Sequence, residues 1–119
     1  MDFEYLKKYV GETINDILDI NAISKETNVK KDFPYCVYSF SSSSNTERDR
    51  VDWILEVDFY NNSNDSTAII RQADKLKSCF HKFYQSEDEG FYNSQNIFYA
   101  EIPTQTPELS RVNQRYLIK

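Results

Sequence analysis

The sequence predicts an α+β fold, with an antiparallel or mixed sheet of about four strands and two helices packed on one face of that sheet. Three observations favour this class. In two segments the apolar residues recur at spacings of three and four, as on one face of a helix. In other segments, rich in β-branched and aromatic residues, apolar and polar residues alternate, as in a strand. The segments follow the order helix, two strands, helix, two strands, which is typical of α+β domains.

The first half of the chain contains the first helix and the first strand pair. A helix is predicted from residue 3 to about residue 20, weakened by Gly11. The segment YCVYSF is predicted as one strand and VDWILEVDFY, residues 51–60, as the next. Between them, residues 41–50 include four consecutive serines and several charges, so we expect a mobile hairpin tip there.

The second half also has a helix followed by two strands. A helix is predicted over residues 67–84, capped by Asp65 or Ser66, because its apolar residues form a narrow stripe. Strands are predicted over residues 91–102 and 111–118. The stripe consists of Ile69, Ala73, Leu76, Phe80 and Phe83. We expect it to cover the apolar face of the strand at 51–60, which consists of Val51, Trp53, Leu55, Val57 and Phe59.

Composition limits the function classes. The 119 residues are predicted to form one domain, residues 1–119, and the net charge of −5 argues against a nucleic-acid scaffold. No signal peptide and no membrane span are predicted. With two glycines, phosphate-cradling loops are almost excluded, and the two cysteines are expected to be buried thiols rather than a disulfide. No catalytic residue, cofactor or metal site is predicted, so the protein is expected not to be an enzyme.

Three acids on one strand carry the strongest chemical signal. Asp52, Glu56 and Asp58 share the polar face of the strand at 51–60, and carboxylates on a strand can hold a divalent cation. Metal-dependent nucleases typically place a Lys two residues after a carboxylate, whereas here Asp58 stands two residues after Glu56. A solvated sheet face or a surface for a partner explains the acids better than a metal does.

Basic residues on the second helix give these acids a candidate partner. Arg71, Lys75 and Lys82 lie nearly opposite the apolar stripe of that helix. A solvated helix face is one explanation. The other is a subunit interface in which this basic helix on one copy faces the acidic strand of the next, with charge complementarity fixing the orientation. The interface residues predicted on this hypothesis are Asp52, Glu56, Asp58, Arg71, Lys75, Lys82, Arg48 and Arg50.

The order of elements, with PYCVYSF, then VDWILEVDFYNN, a helix and a final strand RYLI, resembles the tail terminator and head–tail joining proteins of long-tailed bacteriophages. The resemblance spans nearly the whole chain and includes no catalytic motif. It implies a structural subunit of the virion tail or neck, assembled in the host cytoplasm, that forms a ring, usually hexameric. The implied partners are other copies of the chain, the tail tube protein and the head connector protein, with DNA passing passively through an acidic channel.

A second function class remains open. A small acidic inhibitor or immunity-type protein would bind one basic target protein through the same carboxylates. Oligomeric state separates the two classes, because a ring subunit associates with itself whereas an inhibitor stays monomeric.

Overall fold

A computed structural model describes most of the chain. It covers residues 3–24, 32–45, 50–80, 84–87 and 90–118, with the backbone alone for residues 43–45, 50–51, 84–87 and 90–93. The elements in chain order are α1 (Phe3–Ile17), β1 (Asn21–Ser24), β2 (Tyr35–Asn45), β3 (Arg50–Asn61), α2 (Thr67–Phe80), β4 (Tyr84–Glu87), β5 (Gly90–Ile102) and β6 (Ser110–Ile118). The predicted α+β class is confirmed.

The strands form one mixed sheet in the order β1-β2-β3-β6-β5-β4. β1 runs parallel to β2, and every other neighbouring pair is antiparallel. All four predicted strands are present, so the two additional strands are the short ones, β1 and β4. Five strands form the continuous part of the sheet, and β4 pairs only with the end of β5 that projects beyond β6.

The apolar core lies between the two helices and one face of the sheet. Four residues of the predicted α2 stripe are fully buried: Ile69, Ala73, Leu76 and Phe80. From β3, Leu55, Val57 and Phe59 are also fully buried, which confirms the predicted face. Phe83 and the side chain of Val51 lie outside the described residues.

Trp53 departs from the predicted packing. It is half-buried, and its ring stacks on Phe3 of α1 with the ring centroids 4.0 Å apart. Phe3 also meets Phe40 of β2 edge to face. The first helix therefore covers the Trp53 end of the apolar face, where the sequence predicts the second helix.

The predicted mobile tip is mostly strand. Ser41–Asn45 pair with Arg50–Ile54, so β2 and β3 continue as a hairpin until four residues, 46–49, separate them. Residues 46–49 lie outside the described part. Backbone pairing accounts for the difference, because backbone N–H and C=O groups form ladder hydrogen bonds in serine-rich strands as in others.

The start of α2 shows the predicted cap. The Oδ1 atom of Asp65 accepts hydrogen bonds from the backbone N–H of Thr67 at 2.9 Å and from its hydroxyl at 2.6 Å. Both hydrogen bonds lower the pKa of Asp65, and the bond from the Thr67 hydroxyl has the larger effect. Asn61 and Ser63 form the preceding turn by accepting bonds from nearby backbone N–H groups.

Gly11 is buried in α1 because Tyr38 of β2 lies against it. A Cβ atom at position 11 would stand 2.7 Å from the Tyr38 hydroxyl oxygen and 3.5 Å from the next ring atom. Alanine favours a helix interior over glycine by about 0.5–1 kcal/mol. We expect Gly11→Ala to realise this gain only in a Tyr38→Phe background, where the oxygen is absent. Urea denaturation of the wild-type protein, the two single variants and the double variant tests this. Equal effects of Gly11→Ala in the two backgrounds would contradict it.

Candidate functional site

The face of the sheet opposite the helices, here called the uncovered face, is formed by alternate residues of four strands. Because β3 buries its odd-numbered residues 55, 57 and 59, its even-numbered ones point the other way. The registers of β2 with β3, β3 with β6 and β6 with β5 align four cross-strand rows. The rows are Tyr35-Tyr60-Arg111-Ile102, Val37-Asp58-Asn113-Ala100, Ser39-Glu56-Arg115-Phe98 and Ser41-Ile54-Leu117-Gln95.

Asp58 is the centre of a hydrogen-bonded cluster on this face. Its Oδ1 atom accepts from Nε and Nη2 of Arg111 and from Nδ2 of Asn113, each at 2.8 Å. Burial disfavours the charged guanidinium, but the hydrogen bond and the charge of Asp58 outweigh it and raise the pKa of Arg111. Arg111 therefore stays protonated, and three donors hold Asp58 in one orientation.

Glu56 forms a second ion pair one row away. Its Oε2 atom lies 3.2 Å from Nε of Arg115. The guanidinium of Arg115 in turn lies over the ring of Phe98, 4.9 Å from its centroid. Both side chains of the pair are partly exposed, at 48% for Arg115 and 35% for Glu56, so the pair itself stabilises the fold little.

Aromatic rings lie at one end of the uncovered face. Tyr35 stacks on Tyr60 with the centroids 5.3 Å apart, and the guanidinium of Arg111 lies 5.8 Å from the Tyr60 centroid. Phe33 adds a ring 5.1 Å from Tyr35. Burial, and then the charge of Asp58, raises the pKa of Tyr60. The phenol is therefore neutral at physiological pH, where it can donate a hydrogen bond.

The predicted acids differ in their surroundings. Glu56 and Asp58 share the uncovered face as predicted, and each is paired with an arginine of β6. Asp52 lies beyond the end of β6, which stops opposite Trp53, and it is only 7% exposed. Two acids and two arginines therefore balance the charge of the four rows. The role of the acids in an interface stays a prediction.

The predicted basic residues are only partly described. Arg71 and Lys75 are exposed on α2. Nζ of Lys75 lies 3.0 Å from Oδ2 of Asp19, a carboxylate in the connection after α1. The hydrogen bonds from Lys75 and then Gln72 lower the pKa of Asp19. Lys82 and Arg48 lie outside the described residues, as does the side chain of Arg50.

The sequence interpretation missed the residues that complete the site. Arg111, Asn113 and Arg115 stand at every second position of β6, a spacing present in RVNQRYLI although Gln114 between them is polar as well. That alternation indicates one polar face on β6. It does not indicate that this face lies beside Glu56 and Asp58, because strand order is a long-range property.

The two cysteines have different environments. Both are free thiols, as predicted, but only Cys36 is buried, whereas Cys79 is exposed on α2. Burial, and then the charge of Asp58, raises the pKa of Cys36 to about 12. The expectation of two buried thiols is therefore wrong for Cys79, which lies outside the apolar stripe of its helix.

The chain matches no family model and no curated protein. Within the described ranges, no three His, Cys, Asp or Glu side chains are grouped so that they could hold a metal ion. Neither described helix has the length and apolar character needed to cross a membrane.

Proposed function

We propose that this protein is a non-enzymatic assembly subunit of the tail terminator or head–tail joining kind, and that the uncovered face is one of its docking surfaces. The single observation that carries the proposal is the composition and geometry of that face. Tyr, Phe and Arg side chains lie on it in fixed positions, held by cross-strand ion pairs and ring contacts. These three residue types are enriched at protein interfaces, and Tyr and Arg are among those that supply much of the binding energy.

The ion pairs support this role by fixing side chains in advance. Ordering a free arginine at an interface costs about 0.5–1.5 kcal/mol, and an arginine already held by a carboxylate loses less freedom on binding. Asp58 holds Arg111, and Glu56 holds Arg115. In this proposal the acids position the arginines. This changes the first hypothesis, in which the acids themselves attract a basic helix.

A closed ring requires two different patches, because a head-to-tail contact joins unlike surfaces. The uncovered face is one patch. The exposed side of α2 with Arg71 and Lys75 is a second, on the opposite side of the sheet. The resemblance rests on an order of elements that includes α1, β2, β3, α2 and β6, and it implies a ring. On this proposal the further partners are a tail tube protein and a head connector protein, and DNA passes through without specific binding.

Size measurements on the purified protein test the proposal. We expect native mass spectrometry and sedimentation velocity to show a closed oligomer whose fraction rises with concentration. Phe33 and Phe98 are 42% and 38% exposed, so replacing both with serine should leave the monomer folded. If the two rings together contribute at least about 2 kcal/mol to binding, association weakens by roughly 30-fold or more.

The matched control is Lys8→Ser, which shortens an exposed side chain on α1, on the other side of the sheet. Circular dichroism should be unchanged in both variants, and only the Phe33/Phe98 variant should lose association. A protein that stays monomeric at every concentration would contradict the proposal and favour the inhibitor class. If both variants associate equally well, the uncovered face is not the docking surface.

A further inference from the structure

One edge of the sheet is open along the second half of β5. β4 pairs with Gly90–Asn93, at the start of β5, and β6 pairs with the inner side of Ser94–Ile102. Within the described residues no strand pairs with the outer side of Phe98–Ile102, here called the β5 edge. An open edge presents backbone N–H and C=O groups that another strand can bind.

The two connections on the far side of the sheet are too short to cover the β5 edge. From Ser24 of β1 to Tyr35 of β2 there are eleven Cα–Cα steps, which span at most about 40 Å. The outer side of β5 lies five strand spacings from β1 and four from β2, so the path out and back needs about 43 Å. Residues 46–49 connect β2 to β3 in five steps of at most about 18 Å, where four spacings and three need about 34 Å.

The segment between α2 and β4 is held at the other end of β5. The Ser94 hydroxyl donates to the carbonyl oxygen of Phe80, and β4 begins opposite Asn93. Residues 81–83 therefore extend at most about 7 Å from that point, whereas Phe98 lies at least about 10 Å further along β5. The other undescribed residues are one or two steps from described neighbours at this end of the sheet: 1–2, 88–89 and 119.

Two features limit which residues of β5 another strand can pair with. A β-bulge between Asn96 and Phe98 interrupts the strand before the β5 edge, and Pro103, which has no backbone N–H, follows it. Bulges and prolines both protect edge strands against pairing. Five residues remain between them, FYAEI. Pairing is therefore restricted to a short register centred on Ala100.

We propose that the occupant is a second copy of this chain, whose β5 edge pairs antiparallel with this one about a two-fold axis at Ala100. A two-fold axis between antiparallel strands sets one residue opposite itself, and directly opposed side chains lie on the same face. The opposed pairs are Ala100 with Ala100, Phe98 with Ile102, and Tyr99 with Glu101. This contact does not depend on the ring proposed above.

The side chains of the β5 edge complement each other in this register. Phe98, Ala100 and Ile102 lie on the uncovered face, so apolar residues meet apolar residues there. On the other face Glu101, the single charged residue of the segment, meets Tyr99 rather than a second carboxylate. An axis one residue later would set the two Glu101 side chains directly against each other, which is unfavourable. The sequence of the edge therefore matches itself about Ala100.

The rest of the fold leaves room for this pairing. α2 packs on β3, β6 and β5, so two copies place their α2 helices about three strand spacings, or 14 Å, apart. Packed helices need only about 8–10 Å. The partner's β4 begins about 13 Å beyond Ile102 of the first copy. There the first copy has turned back toward β6, since the Thr104 hydroxyl donates to the carbonyl oxygen of Leu109.

Cysteine cross-linking tests the pairing and its register. In a Cys79→Ser background, Phe98→Cys, Ala100→Cys and Ile102→Cys are made singly and treated with a mild oxidant. Directly opposed Cα atoms in antiparallel strands lie about 4.5–5.5 Å apart, within disulfide range. We expect Ala100→Cys to form a covalent dimer alone, whereas Phe98→Cys and Ile102→Cys should cross-link only when mixed. Ser78→Cys, exposed on α2, is the control and should give no more dimer than random collision does.

Opposite charges at the axis give a second test. Ala100→Lys and Ala100→Glu each place like charges directly against each other in a self-pair, so native mass spectrometry should show that each variant alone loses the dimer. Their mixture should form a one-to-one heterodimer, because an ammonium group then faces a carboxylate. Ser78→Lys and Ser78→Glu are the matched controls and should dimerise alone as the wild-type protein does. Circular dichroism checks that all four variants fold.

The outcomes separate this contact from the uncovered face. Phe98 belongs to both surfaces, but Phe33 belongs to the uncovered face alone, so Phe33→Ser should leave the cross-linking of Ala100→Cys unchanged. Loss of that cross-link in the Phe33→Ser variant would overturn the inference. Absence of cross-linking at Ala100→Cys, equal cross-linking at the three edge positions, or cross-linking as strong at Ser78→Cys would also overturn it.

Discussion

Replacing Phe59 with alanine is expected to lower the free energy of unfolding by about 3–5 kcal/mol. Phe59 is fully buried in β3 and stands between two fully buried neighbours, Cys36 of β2 and Val112 of β6. The sheet cannot close over the missing ring without shifting two strands. The loss therefore combines the transfer of the ring to water with the cavity left behind.

The comparison that tests this explanation is Trp53→Ala. Trp53 is larger, but it is half-buried, and its stacking partner Phe3 is 36% exposed. We expect Trp53→Ala to cost at least about 1 kcal/mol less than Phe59→Ala, because water and neighbouring side chains can fill the space. Urea denaturation should be followed by far-UV circular dichroism, since one variant lacks the tryptophan. A larger loss for Trp53→Ala would show that the α1 end of the core is the better packed one.

Gln114→Leu is expected to cost about 1–3 kcal/mol although leucine is apolar and similar in size. Gln114 is fully buried on the helix-facing side of β6. Its Nε2 atom donates to the carbonyl oxygen of Ala73 in α2, and its Oε1 atom accepts from the Tyr116 hydroxyl, both at 2.9 Å. Leucine would leave two buried polar groups without this partner.

A double-mutant cycle separates this cause from simple repacking. Tyr116→Phe removes the hydroxyl, so the Gln114→Leu/Tyr116→Phe variant should cost less than the sum of the two single variants, by at least about 0.5 kcal/mol. Gln95→Leu, at an exposed position on β5, is the control and should change stability by less than about 0.5 kcal/mol. Additive losses at Gln114 and Tyr116 would mean that their hydrogen bond contributes nothing.

The elements with a complete local pattern were predictable from the sequence. The α2 stripe repeats at helical spacing over four buried residues, and β3 alternates from Leu55 to Phe59. Such patterns identify both the element and the face that it buries, because one periodicity fits a helix and another fits a strand. The α+β class follows from the order of these elements.

Neither the short strands nor the contacts between distant segments could be predicted from local patterns. β1 and β4 have four residues each, too few for a period to emerge, and each is a strand only because a longer strand pairs with it. The same reason applies to the site. Arg111 lies 53 residues from Asp58, so the sequence alone does not show that the sheet pairs Asp58 and Glu56 with arginines of β6.

The position of β6 has a consequence for how the chain folds during synthesis. β6 is the last described strand in the chain, yet it lies in the middle of the sheet between β3 and β5. Until Ser110–Ile118 have left the ribosome, the inner edges of both neighbouring strands lack their partner, and the core lacks Val112 and Tyr116. Pairings between distant segments form slowly, and unpaired strands aggregate. Nascent chains stalled before Ser110 should therefore depend on chaperones, and release of β6 should be the step that makes the fold cooperative.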